Sequence, residues 1–359
     1  MDNPRSAVIM AGGSGERFWP RSRLSRPKHL LPIVGDRPML AQTLGRLDGL
    51  VPPERTWVIT NGEQAEAVRR ICPELDPEKI VAEPLGRDTA PAVALAALLV
   101  RREGGDGAFA MLPADHVIHD GEAFRADLAS AFAAAERAPV IATIGIEPTF
   151  PATGYGYIEA GAGREGCFAV NRFVEKPDPE TARAYLESGG YFWNGGIFVW
   201  RPSTILGALA EFRPELHRDC AAIGEDLEAG APLEKVLAMR YPGLEKISID
   251  YAVMEKARNV VMIRSTFDWD DVGSWPAIGR HHPKDGSGNA IRGAAAVEDA
   301  ADNIVYAEDG HLVGLIGVSG LVVVQTPDAT LVCPRERAQD VKKLVRSIRE
   351  RKDGERYLR

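Results

Sequence analysis

The chain has 359 residues, and 51 Asp+Glu against 43 Lys+Arg give it a formal net charge of −8. This acidic balance argues against general binding to nucleic acid or to anionic membrane surfaces. At roughly 150 residues per domain the length favours two domains, with one large α/β unit as the alternative. Hydrophobic residues make up 45% of the chain, which is enough for a sizeable core.

The cysteines Cys72, Cys167, Cys220 and Cys333 lie far apart and form no C-x-x-C pair. A zinc ribbon or a secreted disulfide framework is therefore not expected, and reduced thiols are the default. The N-terminus has no basic start followed by a long apolar run, so no signal peptide is expected. The longest apolar run, 93–100, is far too short to span a membrane. We therefore expect a cytoplasmic protein with no membrane partner.

The first half of the chain alternates between two kinds of pattern. Short apolar runs predict buried strands at 7–10, 57–60, 79–82, 108–112 and 140–146. Helix-like apolar spacing lies between them, at 38–49, 63–71, 89–102 and 121–136. This alternation predicts βαβ units and a mostly parallel sheet, whose ligands bind outside the carboxyl ends of the strands.

The second half is mixed. Further strands are predicted at 155–160, 167–177, 195–200 and 259–265, and Asp178-Pro179 predicts a helix start. A polar linker at 281–293 precedes β-prone rungs separated by Gly, Asp and Pro turns. These rungs suit a stacked, solenoid-like module, although a hairpin meander fits nearly as well. A charged amphipathic helix is predicted at 336–351.

A glycine-rich turn, "AGGSGERFWP", follows the first predicted strand. Its glycines can bring bare backbone N–H groups against phosphate oxygens. A Walker A loop is excluded because Gly15 is followed by Glu16 and Arg17, and Phe18 breaks the dinucleotide fingerprint. A glycine turn beside a solvated basic face is the plain alternative.

Two cations distinguish this turn from an ordinary one. Arg17 and Lys28 are separated by Pro20 and Pro27, which stiffen the intervening loop. Arginine offers a planar fork to a polyphosphate, and lysine offers a point charge to one phosphoryl oxygen. The segment therefore suits a reaction in which phosphate charge moves.

The stretch "AGGSGERFWPRSRLSRPKHLLPI" closely resembles the signature of the sugar-1-phosphate nucleotidyltransferases. Trp19 before the proline is similar to the guanylyltransferases of that family that act on mannose 1-phosphate. Further resemblances follow in family order, over about 6–280, at "EPLGRDTAPA", "LPADH", "FVEKP", "YFWNGGIFVW" and "DWDDVGSW".

The resemblance implies an α/β, Rossmann-like nucleotide-diphospho-sugar transferase fold with a mixed, mostly parallel sheet. It implies a catalytic domain at 1–282 and a small β-helix-like module with a terminal helix at 290–359. It also implies GTP and mannose 1-phosphate as substrates, Mg²⁺ as cofactor, and a homodimer supported by the C-terminal module. The chain stops before the cupin-like isomerase domain of longer relatives, so isomerase activity is not expected.

The resemblance assigns nucleotide binding to the glycine-rich turn and to the segment around 83–92. The residues concerned are Ala11, Gly12, Gly13, Gly15, Glu83, Gly86 and Thr89. Asp88 stands where the guanylyltransferase pattern more often has Asn, which weakens a base contact for that side chain. Asp88 could instead cap the predicted 89–102 helix.

Two acidic residues are candidate metal ligands. Asp115 follows a predicted strand and could merely cap a helix, while Asp270 and Asp271 could form an ordinary turn. Mg²⁺ prefers a few hard oxygen ligands plus substrate phosphate. The resemblance assigns the metal to Asp115 and Asp271, with Asp270 as a bystander.

Glu175 and Lys176 end a predicted strand at Pro177, where a surface pair is the plain alternative. By resemblance, Glu175, Asn194 and the Gly154 backbone surround the hexose, and the charge of Lys176 suits the sugar phosphate. Asp250 could contact the sugar or cap the helix that follows it, and capping is the favoured interpretation.

The implied reaction is in-line attack of the sugar phosphate on the α-phosphorus of GTP, with pyrophosphate leaving. Arg17 would take charge on the β,γ-phosphates, and Lys28 would neutralise the α-phosphoryl group or the attacking phosphate. One alternative is another nucleotide paired with glucose or heptose 1-phosphate. The other is a non-catalytic nucleotide-sugar-binding regulator, which should have lost one of these cations or metal carboxylates.

Overall fold

The computed structural model describes residues 4–13 and 15–359, so Ser14 of the glycine-rich turn and residues 1–3 lie outside it. A nine-stranded mixed sheet has the order β3-β2-β1-β4-β8-β5-β9-β7-β6. Its strands are β1 (Ser6–Ala11), β2 (Thr56–Asn61), β3 (Ile80–Glu83), β4 (Phe109–Pro113), β5 (Ile141–Ile146), β6 (Tyr157–Arg164), β7 (Cys167–Val174), β8 (Tyr191–Trp200) and β9 (Val260–Arg264). Strands β3, β2, β1 and β4 run parallel, so their carboxyl ends share one edge.

Helices cover both faces of this sheet. They are α1 (Met39–Gly45), α2 (Ala65–Ile71), α3 (Thr89–Gly104), α4 (Gly121–Arg137), α5 (Pro179–Ser188), α6 (Pro202–Phe212), α7 (Pro214–Glu228), α8 (Leu233–Arg240) and α9 (Trp275–His281). Successive residues of β1 point to opposite faces, so Val8 enters one hydrophobic cluster and Ile9 the other. The predicted strands and helices of the first half are confirmed, except that the 38–49 helix ends early, at Gly45.

Two helix starts expected from sequence are confirmed by hydrogen bonds. Asp178 accepts from the backbone N–H groups of Glu180 and Thr181, which opens α5. Asp88 accepts from the N–H of Thr89 at 2.8 Å and so caps α3. These carboxylates satisfy donors that have no partner within the helix.

The C-terminal module is a stack of short rungs rather than a meander. Its elements are β10 (Ala290–Arg292), β11 (Ala294–Glu298), β12 (Ile304–Ala307), β13 (Leu312–Ile316), β14 (Leu321–Gln325), β15 (Thr330–Pro334) and α10 (Val341–Arg349). Strands β10, β12 and β14 pair in parallel, as do β11 and β13. Strand β15 pairs with β14 in antiparallel orientation. The predicted 336–351 helix begins as a 3₁₀ turn, Arg335–Asp340, and continues as α10.

Buried asparagines connect successive rungs of this module. Asn303 is 0% exposed, and its Nδ2 donates to Asn289 Oδ1 at 3.0 Å and to Val318 O at 3.1 Å. Its Oδ1 accepts from the N–H of Leu321 at 2.9 Å. These bonds satisfy backbone groups at the turns, where no strand partner is available.

The glycine-rich turn and the C-terminal module share one hydrophobic cluster. Phe18 packs on Trp275, with ring centroids 5.3 Å apart, and Trp275 packs on Tyr306 of β12 at 5.7 Å. Val341 and Val345 of α10 are buried in the same cluster. Within the described residues, no helix has the length and apolarity needed to cross a bilayer.

Candidate active site

The glycine-rich turn leaves the carboxyl end of β1. Gly12 and Gly13 are exposed, whereas the side chain of Ala11 is buried and its carbonyl accepts from Thr60 Oγ1 at 2.8 Å. Gly15 has φ of +61°, and a Cβ there would lie 2.7 Å from the backbone nitrogen of Lys28. The turn therefore needs glycine at this position both for its conformation and for close approach to Lys28.

Lys28 joins three distant segments of the chain. It is 5% exposed, and its Nζ donates to Asp115 O at 2.7 Å, to Asp115 Oδ2 at 3.0 Å and to Asp271 O at 2.5 Å. The ammonium therefore holds the two predicted metal ligands, which are far apart in sequence, at one place. Both acids line a single cavity of about 300 Å³.

The two carboxylates are suited to a divalent cation. Burial alone would raise the pKa of Asp115, but the Lys28 ammonium beside it lowers that pKa to about 2. Asp271 Oδ1 accepts from the Tyr155 hydroxyl at 2.6 Å and from the N–H of Gly273 at 3.2 Å. Asp271 Oδ2 has no hydrogen-bond partner among residues 4–13 and 15–359.

No group of three or more His, Cys, Asp or Glu side chains in the described chain could hold a metal by itself. An ion here would therefore take its remaining ligands from water or substrate phosphate, as Mg²⁺ commonly does. The two carboxylates offer the hard oxygen atoms that a divalent cation such as Mg²⁺ prefers.

Arg17 faces the same cavity from the glycine-rich turn. Its Nη1 donates to Gly273 O at 2.7 Å, and it has no carboxylate partner in the part of the chain that is described. A second cavity of about 530 Å³ adjoins the first and is lined by Arg17, Asp271, Gly273 and Gly154. Arg17 therefore lies between two adjoining spaces with its charge available to an anion.

Asp270 lies outside this arrangement. Its carboxylate accepts hydrogen bonds from Nε and Nη2 of Arg280, both at 2.9 Å, and lies 2.8 Å from His281 Nε2. It also accepts from the N–H of Val272 at 2.8 Å, and Val272 has a φ of +43°. Asp270 fixes the turn that presents Asp271, and its own oxygens are occupied.

Glu83 lies beside Gly12 of the glycine-rich turn, and both residues are predicted to bind the nucleotide. It is 8% exposed, accepts from the Tyr241 hydroxyl, and places Oε2 3.7 Å from where a Cβ on Gly12 would lie. Burial raises the pKa of Glu83 to about 6, although the hydrogen bond from Tyr241 opposes this. Gly86 is exposed in the following loop, and Thr89 Oγ1 accepts from the N–H of Ile249 at 2.8 Å.

The predicted sugar residues form a second polar group. Asn194 Nδ2 donates to Asp250 Oδ1 at 3.2 Å, and Lys176 Nζ donates to Glu175 Oε1 at 2.5 Å. A Cβ on Gly156 would lie 2.7 Å from Glu175 Oε2 and 3.2 Å from the Cβ of Asn194. Glu175, Asn194 and Asp250 are thus neighbours, whereas Gly154 is exposed at the adjoining cavity.

The expectation that Asp250 caps a helix is wrong. The π-helical turn Asp250–Met254 begins without a side-chain cap, and the carboxyl group faces Asn194 instead. Burial and the nearby Glu175 carboxylate raise the pKa of Asp250 to about 7.

Sequence reasoning missed Tyr155 and Tyr241, each of which orients a candidate carboxylate through its hydroxyl. Tyr155 lies one residue beyond Gly154, and that proximity is the only local signal. Nothing near Tyr241 in the sequence points to Glu83, because the two meet only through the packing of the helices over the sheet.

Comparison with known proteins gives two family matches. The sequence model described as Nucleotidyl transferase matches residues 6–287, and that of the MannoseP isomerase/GMP-like beta-helix domain matches 295–348. A mannose-1-phosphate guanylyltransferase of Escherichia coli is 42% identical over 349 residues, covering 96% of this chain and 74% of the relative. Xanthan biosynthesis protein XanB of Xanthomonas campestris is 42% identical over 346 residues, or 95% of this chain and 73% of the relative.

The solved structures agree with these matches. The crystal structure described as mannose-1-phosphate geranyltransferase from Thermus thermophilus superposes with a TM-score of 0.85 at 40% identity, covering 96% of this chain and 99% of that chain. One described as mannose-6-phosphate isomerase from Helicobacter pylori gives a TM-score of 0.60 at 25% identity, covering 74% of this chain and 99% of that chain.

Proposed function

Because this chain belongs to the nucleotidyl transferase family, we propose that it transfers a guanylyl group from GTP to mannose 1-phosphate. Sugar-phosphate nucleotidyl transfer is the reaction class of its relatives, and this chain is an enzyme of that class. The products would be GDP-mannose and pyrophosphate.

One observation carries the proposal. The Lys28 ammonium binds Asp115 and Asp271 in a cavity that Arg17 also lines, so two cations and two carboxylates converge on one space. Both substrates of a nucleotidyl transfer are polyanions that repel each other. A rigid site of fixed charges lowers that barrier by positioning and by electrostatic stabilisation.

In the proposed reaction a phosphate oxygen of mannose 1-phosphate forms a bond to the α-phosphorus of GTP. The bond between the α-phosphorus and the oxygen that bridges it to the β-phosphorus breaks, and pyrophosphate carries that electron pair away. Arg17 would stabilise charge that builds on the β,γ-phosphates. Lys28 gives its three N–H donors to Asp115 and Asp271, so it would act on the α-phosphoryl group or the attacking phosphate through its positive charge. No protein nucleophile is needed.

Mg²⁺ is the cofactor we propose, held by Asp115 and Asp271. When bound, it would neutralise phosphate charge and orient the phosphates. Lys28 would keep Asp115 ionised by lowering its pKa, and the hydrogen bond from the Tyr155 hydroxyl would orient the Asp271 carboxylate.

Glu83 supports guanine as the base. A carboxylate accepts two hydrogen bonds, and the Watson–Crick edge of guanine offers adjacent N–H donors that adenine, uracil and thymine do not present together. Tyr241 donates to one lone pair of Oε1, which leaves the second lone pair of Oε1 and those of Oε2, beside Gly12, for such donors. The Glu175, Asn194 and Asp250 group similarly supports a polyhydroxylated ligand, since it offers several acceptors and one amide.

A substrate screen tests this function. Pyrophosphate release is measured with GTP, ATP, dTTP and UTP against mannose, glucose and heptose 1-phosphates, with and without Mg²⁺. We expect GTP with mannose 1-phosphate to give the highest kcat/KM, and Glu83→Gln to lower the preference for GTP over ATP. A different best pair would overturn the substrate assignment, and turnover unchanged after EDTA treatment would overturn the cofactor.

A homodimer in the cytoplasm completes the proposal. Sedimentation of the purified chain tests the first part, with a monomer at micromolar concentration as the contrary result. Fractionation of the source cells tests the second.

A further inference from the structure

The C-terminal helix reaches the 300 Å³ cavity that Arg17, Lys28, Asp115 and Asp271 line. Helix α10 packs against the turn Glu16–Phe18, and Arg349 Nη2 lies 2.9 Å from Glu16 Oε1. Just before α10, Gln339 Nε2 donates to Ser274 Oγ at 3.2 Å. These contacts bring Lys342 to the wall of the 300 Å³ cavity that contains Arg17 and Lys28.

Lys342 differs from its neighbour on the same helix. Lys343 pairs with Asp340 at 2.7 Å, whereas Lys342 has no ion pair or hydrogen bond with any residue that the structure describes. Partial burial and the nearby Arg17 guanidinium lower the pKa of Lys342, and Lys176 contributes in the same direction. The Glu16 carboxylate acts in the opposite sense, so Lys342 and Arg17 are two cations on the wall of one cavity that acids also line.

Lys342 and Arg17 repel each other, and an anion between them would remove that repulsion. Arg17 also has no carboxylate partner in the described chain, so both side chains lack an anionic partner. A phosphate group between them would satisfy both, because charge-assisted hydrogen bonds to phosphate are the strong ones.

We propose that Lys342, supplied by the C-terminal module, is a phosphate-binding residue of the active site. The proposal rests on the proposed nucleotidyl transfer, and the phosphate could belong to the nucleotide or to the sugar phosphate. It makes the module part of the catalytic site, because α10 carries a side chain into the cavity.

Kinetics of Lys342→Gln and Lys342→Arg, with Lys343→Gln as the matched control, test the proposal. A lost charge-assisted hydrogen bond lowers kcat/KM by about 10- to 100-fold, so we expect that loss in Lys342→Gln. Lys342→Arg should recover most of the activity, and Lys343→Gln should stay within about twofold of wild type, as is usual for an exposed ion pair. A rise in KM for GTP alone would place Lys342 on the nucleotide phosphates, and a rise for mannose 1-phosphate alone on the sugar phosphate.

Two results of these kinetic measurements would overturn the proposal. Lys342→Gln could behave like Lys343→Gln, or Lys342→Arg could lose as much activity as Lys342→Gln. The first result would show that the charge has no effect, and the second would show that α10 contributes only packing.

A binding measurement separates this inference from the proposed reaction. Pyrophosphate or mannose 1-phosphate should raise the Tm of the wild-type protein more than that of Lys342→Gln, with Lys343→Gln behaving as wild type. If no substrate pair gives turnover, the proposed function fails, and these two shifts still decide the role of Lys342. Equal shifts in all three proteins with both probes would overturn the inference.

Discussion

Replacing Gly15 by alanine should damage both the fold and the reaction. An L-residue at φ of +61° costs about 1–2 kcal/mol. The new Cβ would also lie 2.7 Å from Lys28 N and 3.0 Å from Lys28 Cβ, and forcing a methyl group into a packed site costs typically about 1–3 kcal/mol. The sum is about 2–5 kcal/mol, and relief of the clash would displace Lys28 from Asp115 and Asp271.

Gly49→Ala is the matched control. Gly49 has φ of +81°, but nothing lies within 4 Å of a Cβ built there, so only the conformational cost applies. Urea denaturation should therefore show a larger loss of unfolding free energy for Gly15→Ala than for Gly49→Ala. Pyrophosphate release at saturating substrates should fall only in Gly15→Ala. Equal destabilisation of the two variants, with activity intact in both, would refute the reasoning.

Three further perturbations test other parts of the account. Asp250→Asn should stabilise the protein at pH 8 by on the order of 1 kcal/mol or more. The folded-state pKa of about 7 lies above the ordinary 3.8, so this group costs stability progressively as pH rises from about 4 to 7. Thermal melts should therefore show a smaller gain at pH 5 than at pH 8, and equal gains at the two pH values would contradict this reasoning. Tyr155→Phe removes the donor to Asp271 and should raise the Mg²⁺ concentration for half-maximal turnover about tenfold; an unchanged titration would separate Tyr155 from the metal. Asn303→Ala should cost about 2–4 kcal/mol in denaturant unfolding, because it leaves buried groups of the rung stack unpaired; a loss below about 1 kcal/mol would contradict that.

The parallel half of the sheet was predictable because its strands are buried on both faces. Runs such as those of β1 and β4 are continuously apolar, and a continuously apolar run is a strong signal of a buried strand. The glycine-rich turn was also predictable, since Gly15 and the cations beyond it are close together in sequence. The local pattern was therefore enough to indicate Arg17 and Lys28 as candidate site residues.

Contacts that close over long separations were not predictable from local patterns. The Lys28 bond to Asp271 spans 243 residues, and the sequence offered two adjacent acids there with no means of choosing between them except resemblance. Asp250 was misread because an acid before a helix usually caps it, and here a π-helical turn directs the carboxyl group to Asn194.

The approach of Lys342 to the cavity was hidden for the same reason. Helix α10 is amphipathic, and from sequence its charged face is typical of a solvated surface. The packing of α10 against the turn Glu16–Phe18 brings part of this face to the cavity that Arg17 and Lys28 line.

The central claim is that fixed cations allow two mutually repelling phosphates to react. Pyrophosphate release by Arg17→Ala, measured with saturating GTP and mannose 1-phosphate beside a thermal melt, tests it most directly. Arg17 donates to one backbone carbonyl, so we expect an unchanged Tm and a loss of kcat of ~10²-fold or more. Turnover close to that of the wild-type enzyme, in a variant that melts normally, would contradict the claim.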